Sequence, residues 1–295
     1  MSSEFISSGH SACAGCGEII GERMVLEAIG KDVIVCQATG CMEITTTPYP
    51  RTAFKVPWIH VAFENAAAVA SGVVEADRKL GRKTTVLAIG GDGGMMDIGF
   101  QAVSGALERG QDIIIVITDN EAYMNTGIQR SSGTPKYANT TTSPAGNAVP
   151  GKREWKKNVA WVAAAHGAPY VATASIGFPE DLKAKVEKAK SIRGPKLIHV
   201  FTPCPVGWGT DSDKSVHYAK KVVDSGIWPL YEIEDGKLKI SMRPAFSPVE
   251  DYMKGQRRFK HIKPEQMKEI GEHVKRSWAE LEKLEKSGVI VTMLP

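Results

Sequence analysis

Apolar positions along this chain alternate between two periods, and the switches mark its elements. A helical period predicts an amphipathic helix over Gly17–Gly30, and a short apolar run predicts a strand over Val33–Cys36. Glu64–Leu80 is alanine-rich and helical in pattern. Thr84–Ile89 is β-branched and apolar, and it runs straight into Gly90-Gly91-Asp92-Gly93-Gly94. A helix is expected from Ile98 to Arg109. Ile113–Thr118 is apolar throughout, as a parallel strand covered on both faces should be. Helical patterns return at Glu154–His166 and Pro179–Lys190, with strands expected at Tyr170–Ala174 and Leu197–Thr202. Strands alternating with helices predict an α/β fold with a doubly wound, mostly parallel sheet. Its functional loops should lie at the carboxyl ends of the strands.

Two regions break the alternation. From Asp119 to about Gly151 the chain is rich in Asn, Thr, Ser, Gly and Pro; so long an aperiodic stretch is more often functional than idle. From Trp228 a hairpin pattern, Tyr231–Ile240, turns on Asp235-Gly236, and a charged helix pattern covers Pro264–Lys286. We therefore expect one domain over residues 1–226. Residues 227–295 are expected to form a C-terminal extension that packs on a partner subunit, the alternative being a solvated helix that only caps the core.

Composition narrows the function. The chain has 295 residues, 42% of them apolar, which suffices for a sizeable core. Its 37 basic and 33 acidic residues leave a net charge of +4, too mild a balance to argue for nucleic acid. No stretch approaches the roughly 18 apolar residues of a membrane span. The first residues lack the basic start and apolar core of a signal peptide, so a cytoplasmic protein is expected. Five cysteines in such a chain argue for metal or redox work rather than a disulfide framework.

Two groups of residues carry the candidate chemistry. Cys13 and Cys16 are spaced as a metal-binding pair, with Cys41 and Cys204 as distant thiols that the fold could bring up. On spacing alone they suit an iron–sulfur cluster or zinc equally well, and Cys13-Ala14-Gly15-Cys16 by itself could be a redox dithiol. Cys36, alone on a strand, reads as a buried apolar residue. The second group is Gly91-Asp92-Gly93. Glycine lets backbone amides approach phosphate closely, and an acid there can hold a divalent cation that bridges diphosphate oxygens. Asn120 and the carbonyl of Ala122, after the next strand, offer further oxygens. The alternative is an ordinary tight turn.

Gly91-Asp92-Gly93 followed by Asn120 resembles the thiamine-diphosphate signature, with Glu121 where a second Asn would stand. The fuller strings Gly91-Asp92-Gly93-Gly94-Met95-Met96-Asp97 and Asp119-Asn120-Glu121-Ala122-Tyr123-Met124-Asn125-Thr126-Gly127 resemble the β subunits of pyruvate:ferredoxin and related 2-oxoacid:ferredoxin oxidoreductases. So do the segments around Cys13 and Cys16, Thr39-Gly40-Cys41 and Pro203-Cys204-Pro205. The resemblance implies a thiamine-diphosphate-binding type of fold. It also implies oxidative decarboxylation of pyruvate or a related 2-oxoacid, with coenzyme A as acyl acceptor and ferredoxin as electron acceptor. Asp92, Asn120 and the Ala122 carbonyl would hold Mg2+. Thr39, Gly40, Met42, Gly91, Gly93, Gly94 and Thr126 would contact the cofactor, and Asn125 would face the reacting carbonyl. Cys13, Cys16, Cys41 and Cys204 would ligate one [4Fe–4S] cluster, which can take the electrons that zinc cannot.

By the same resemblance the chain is incomplete. An α-type subunit would supply the pyrimidine-binding domain, beside a γ-type subunit and a ferredoxin-like two-cluster subunit. The loops Gly91–Met96 and Asp119–Gly127 are expected at the interface. Branched-chain or other 2-oxoacids are alternative substrates. A zinc-stabilised, non-catalytic binding subunit and a non-redox thiamine enzyme are further alternatives. Among the remaining residues, His10 is expected either to approach a cluster sulfur or to cap the first helix. His60 is expected to reach the cofactor or to be structural. Glu64 and Asn65 are read as helix capping, and Lys156 and Lys157 as a solvated face. Met95 and Met96 are read as packing on the cofactor or filling the core. His166, His199, His217, His261 and His273 are read as core or surface residues.

Overall fold

The computed structural model describes residues 5–288. Eight strands form one sheet: β1 (Val33–Ala38), β2 (Trp58–Val61), β3 (Thr85–Gly91), β4 (Ile114–Asp119), β5 (Tyr170–Ser175), β6 (Lys196–Phe201), β7 (Leu230–Glu234) and β8 (Lys237–Met242). Their order across the sheet is β2-β1-β3-β4-β6-β5-β7-β8. The first six are mutually parallel, and β7 and β8 join antiparallel. Every residue of β4, β5 and β6 is buried, which is why β4 reads as an apolar run from Ile114 to Ile117 rather than as alternation.

The helices cover the sheet in two layers. The longer ones are α1 (Gly17–Ile29), α3 (Ala66–Lys79), α4 (Phe100–Glu108), α6 (Pro179–Ser191), α8 (Ser215–Asp224) and α10 (Pro264–Ser287). Shorter ones are α2 (Cys41–Thr46), α5 (Val159–Ala165), α7 (Pro205–Trp208) and α9 (Val249–Met253). Helix α1 packs beside α6, and α3 packs beside α4. No helix among the described residues is long and apolar enough to cross a membrane.

Three expected helices start late: the one expected from Glu64 begins at Ala66, and the other two have a local reason. The helix expected from Ile98 begins at Phe100, because Gly93–Ile98 forms a wider π-helical turn directly after the Gly-Asp-Gly bend. The helix expected from Glu154 begins at Val159. Asn158 caps it there, its Oδ1 accepting from the Trp161 amide at 3.2 Å. The expected capping at Asn65 takes a different form: Asn65 stands at the N-cap of α3, but its side chain makes no cap bond.

The Asp235-Gly236 hairpin is present. Both residues have positive φ, 46° and 76°, as a two-residue turn matched to strand twist needs. This hairpin does not stand apart from the preceding 226 residues. Strand β7 pairs with β5, so the C-terminal segment extends the same sheet. The reason is edge satisfaction, since β5 would otherwise present unpaired backbone groups.

Candidate active site

The chain runs from β1 outward to β2 and then returns to β3 on the other side of β1. From the carboxyl ends of β1 and β3 the chain therefore leaves in opposite directions, and a crevice opens at this reversal. A cavity of about 190 Å³ lies there. Its wall includes Thr39, Gly40, Cys41 and Met42 after β1, Gly91, Gly93 and Gly94 after β3, and Asn120, Ala122, Asn125 and Thr126 after β4. Eleven of the residues singled out from the sequence thus share one cavity. A larger depression, about 610 Å³, runs along the C-terminal segment from Gly209 to Met267 and holds none of them.

The turn after β3 is shaped by close approach. A Cβ on Gly93 would stand 2.6 Å from the Tyr123 ring, so no other residue fits there without displacing it. Asp92, between the two cavity-lining glycines, is fully buried. Ser131 Oγ donates to its Oδ2, while Oδ1 has no partner. Asn120 Oδ1 is likewise buried and unpartnered. Orphaned oxygens of this kind are costly in a protein interior, and a hard cation that takes oxygen ligands satisfies both. Burial, with the charge of nearby Asp119, pushes the Asp92 carboxyl well above the usual carboxylate range. A bound cation would reverse that shift.

Behind this corner lies a charged network that the sequence did not disclose. Asp119, fully buried, accepts from His199 Nε2 at 2.7 Å and from Lys156 Nζ at 2.8 Å. Burial opposes ionisation of Asp119, but Lys156 and His199 outweigh it and hold the carboxyl at about 2. Lys156 also pairs with Glu121 at 2.9 Å, and Arg258 reaches Glu121 from the other side at 2.5 Å. The expectation that Lys156 and Lys157 lie on a solvated face is therefore corrected. Lys157 turns to Asp97 at 3.1 Å and to the Met96 carbonyl. Both lysines answer acids at the end of β4 or in the turn after β3, and uncompensated buried carboxylates would be more expensive than ordering a lysine.

The cysteines lie beside the cavity. Cys41 opens α2 directly after Gly40, and Asn125 bonds to its thiol. Cys16 immediately precedes α1 and Cys204 opens the turn of α7. These two approach because Gly17 lies against the backbone of Pro203. The Gly17 amide donates to Pro203 O at 3.0 Å, and a Cβ on Gly17 would stand 2.5 Å from that oxygen. Cys13 is tied into the same turn by its carbonyl, which accepts from the Cys16 amide at 3.0 Å. Burial pushes the Cys16 thiol up to about 12 and Cys204 up to about 11; Cys41 is pushed up as well. Neighbouring thiols add smaller contributions: Cys204 at Cys16 and at Cys41, Cys16 at Cys41, and Cys13 at Cys204. None is in a disulfide, and among the described residues no three such side chains are drawn together as tightly as one metal ion needs. Cys36 is buried in β1, away from this group.

Glu18 links the two centres, and the sequence reading missed it. It sits in the cavity wall, accepts from Thr118 Oγ1 at 3.0 Å, and also bonds with Asn120 and Cys41. Burial pushes its carboxyl up to about 7. An acid two residues past a metal-type cysteine, on the apolar face of a helix, was the available signal. The Arg258 contact had no local signal, because its partner lies 137 residues away. His10 neither caps α1 nor meets a thiol; its Nε2 accepts from Arg23 at 2.9 Å. His60 lies at the cavity rim, 2.6 Å from Thr39 Oγ1. Met95 and Met96 are fully buried core residues.

Residues 38–200 match the family Thiamine pyrophosphate enzyme, C-terminal TPP binding domain. Of the four cysteines only Cys41 falls inside that span. The chain is 54% identical over 273 residues to pyruvate synthase subunit PorB of Methanothermobacter marburgensis, covering 92% of this chain and 95% of the relative. It is 43% identical over 290 residues to ketoisovalerate oxidoreductase subunit VorB of Pyrococcus furiosus, covering 95% and 93%. A 2-oxoglutarate:ferredoxin oxidoreductase structure from Magnetococcus marinus superimposes with a TM-score of 0.59 at 24% identity, over 68% of this chain and 67% of that one, a likeness of fold. With the thiamine pyrophosphate domain and near full-length identity to these subunits, the chain belongs to the family of β subunits of pyruvate synthases and related 2-oxoacid:ferredoxin oxidoreductases.

Proposed function

We propose that this chain holds the diphosphate end of thiamine diphosphate, with Mg2+, and one [4Fe–4S] cluster, in a complex that converts pyruvate and coenzyme A to acetyl-CoA and carbon dioxide. The observation that carries the reading is one cavity walled by both Cys41 and the Gly91–Gly94 turn, with the unpartnered oxygens of Asp92 and Asn120 beside it. When bound, thiamine diphosphate supplies the nucleophile for the 2-oxo carbon and a sink for the electron pair freed by decarboxylation, and a cluster passes electrons on singly.

The chain's own residues then have distinct tasks. Asp92, Asn120 and the Ala122 carbonyl hold the cation, and Gly91, Gly93 and Gly94 let backbone approach the diphosphate. Thr39, Gly40, Met42 and Thr126 shape the cavity around the cofactor. Asn125, in the wall and bonded to the Cys41 thiol, orients the reacting carbonyl. Cys13, Cys16, Cys41 and Cys204 ligate the cluster. A cluster on these four thiols can pass electrons singly, which zinc cannot do.

Partners complete the reading. An α-type subunit supplies the pyrimidine-binding domain and covers the turns at Gly91–Met96 and Asp119–Gly127. A γ-type subunit and a two-cluster subunit join it, and the latter delivers electrons to ferredoxin. The test is 2-oxoacid-dependent viologen reduction by the chain alone and after co-expression with its partner subunits. Activity should appear only in the complex; full activity of the isolated chain would overturn the reading. The 43% identity to a ketoisovalerate subunit supports a second reading, a branched-chain 2-oxoacid as substrate. Assaying pyruvate and 2-oxoisovalerate side by side decides between them.

A further inference from the structure

Arg258 lies outside every motif singled out from the sequence, yet its side chain is buried at the back of the site. One terminal nitrogen donates to Glu121 Oε2 at 2.5 Å and to Tyr252 Oη at 3.0 Å, and Nε donates to Gln256 Oε1 at 2.8 Å. The same guanidinium lies 3.8 Å from the centre of the Trp208 ring. Trp208 ends the short helix that Cys204 opens, and its Nε1 donates to the carbonyl of Asn120 at 2.9 Å. One planar cation therefore touches both the loop after β4 and the turn that carries a cysteine.

The loop needs such a hold. Glu121 has φ of 71°, a left-handed conformation that is strained for a non-glycine residue. Its amide is fixed by Asp119 Oδ1 at 2.9 Å and its carbonyl by Thr134 Oγ1 at 2.7 Å. Its neighbours Asn120 and Ala122 line the cavity, while its own carboxylate is held on the far side by Lys156 and Arg258. The reversed backbone at Glu121 is what turns Asn120 and Ala122 toward the cavity together.

We propose that Arg258 is a positioning residue that locks the Asn120–Ala122 loop and the Cys204–Trp208 turn to each other, setting cofactor affinity and the cluster's surroundings jointly. This rests on the thiamine-and-cluster reading above. A lysine at 258 would keep a charge for Glu121 but offer no flat face to Trp208 and no forked donor set. The two halves of the lock can therefore be separated.

The experiment compares the assembled complex with Arg258, Arg258→Lys and Arg258→Met. Thiamine diphosphate binding at fixed magnesium is followed by equilibrium dialysis, and the reduced cluster by electron paramagnetic resonance. Arg258→Met should raise the half-saturating thiamine diphosphate concentration roughly tenfold and change the cluster spectrum. Arg258→Lys should bind thiamine diphosphate within about twofold of the parent, as its charge still meets Glu121, yet show the changed spectrum. Parent-like binding and spectra in both variants, whatever their melting temperatures, would overturn the proposal and leave Arg258 a plain stabilising ion pair. Should Arg258→Met fail to assemble, Arg258→Lys decides through its spectrum alone, since an unchanged one overturns the lock. A parent complex without magnesium-dependent thiamine binding or without a cluster signal would instead sink the reading on which the inference rests.

Discussion

The diphosphate end and the cysteine end of the site share a wall but are built differently. At the diphosphate end, almost every charged side chain already has a partner in the chain. Asp119 meets Lys156 and His199, Glu121 meets Lys156 and Arg258, and Asp92 meets Ser131. Among the oxygens left over are one each on Asp92 and Asn120. At the cysteine end, the four thiols come from three parts of the chain, and backbone contacts, chiefly Gly17 against Pro203, bring Cys16 and Cys204 close. The first end is preorganised for a ligand that adds a few bonds. At the second, the proposed cluster would itself fix the geometry of the thiols that bind it.

That contrast can be broken or sharpened by substitution. The largest effect should come from Cys204→Ser. Its hydroxyl can still accept from the Gly207 amide, as the thiol does at 3.3 Å, so the turn should persist while the cluster is lost. Anaerobically purified parent should carry iron and sulfide in near-equal amounts, Cys204→Ser should not, and Cys36→Ser should match the parent. Stoichiometric zinc without sulfide in the parent would refute the cluster. Next comes Asp92→Asn, which removes the charge of the proposed magnesium ligand while keeping shape. Thiamine diphosphate should bind roughly a hundredfold more weakly, about 3 kcal/mol, with an intact fold by circular dichroism. Retention of cofactor through gel filtration would count against the assignment.

The preorganised end should also answer to its supports. Lys156→Met leaves Asp119 with His199 as its side-chain partner and Glu121 with Arg258 as its ion-pair partner. It should cost about 2–3 kcal/mol in urea unfolding, below the full penalty for orphaning a buried charge because each acid keeps one partner. No loss of stability would mean that the network does not brace this corner. The smallest effect concerns Glu22, at neither end. It is buried, it accepts from Gln37 Nε2 at 2.9 Å, and burial with the nearby Glu18 pushes its carboxyl up to about 8. The folded chain thus holds this proton more tightly than the unfolded chain does. Stability should be unaffected below the unfolded value near 4.5 and should fall as pH rises toward 8. Glu22→Gln removes that loss, and its amide can also donate to the unpartnered Gln37 Oε1. It should match the parent at low pH and exceed it by a margin that reaches about 2 kcal/mol by pH 6 and persists at pH 8. Thermal melts at both pH values provide the check, and a parent-like melt at pH 8 would contradict it.

How much of this was readable in advance depended on chain distance. The Gly91–Gly94 turn and the Cys13/Cys16 pair are contiguous, and glycine and cysteine announce special geometry by residue type alone. Lys156, His199 and Arg258 are ordinary residues whose meaning lies in partners 35 to 137 residues away, so nothing local marks them. Lys156 in particular reads as surface until the buried acids at the end of β4 call for it. Glu18 lies between these cases, since its position beside Cys16 was visible but its contact with Thr118, 100 residues on, was not.

By itself, the sequence determined the alternation of strand and helix, the strands covered on both faces, the Asp235-Gly236 hairpin and the residues able to bind metal or phosphate. Each follows from side-chain periodicity or from one residue's conformational and chemical limits. The tertiary structure decided the rest. The reversal of strand order at β1 and β3 put Thr39–Met42 beside Gly91–Gly94, since a parallel sheet opens a crevice only where its connections change direction. Pairing of β7 with β5 carried the C-terminal segment onto the main sheet, and Arg258 meets Glu121 within that packing. Burial then turned ordinary charges into a fixed network, because an acid taken out of water must find a cation wherever the chain provides one.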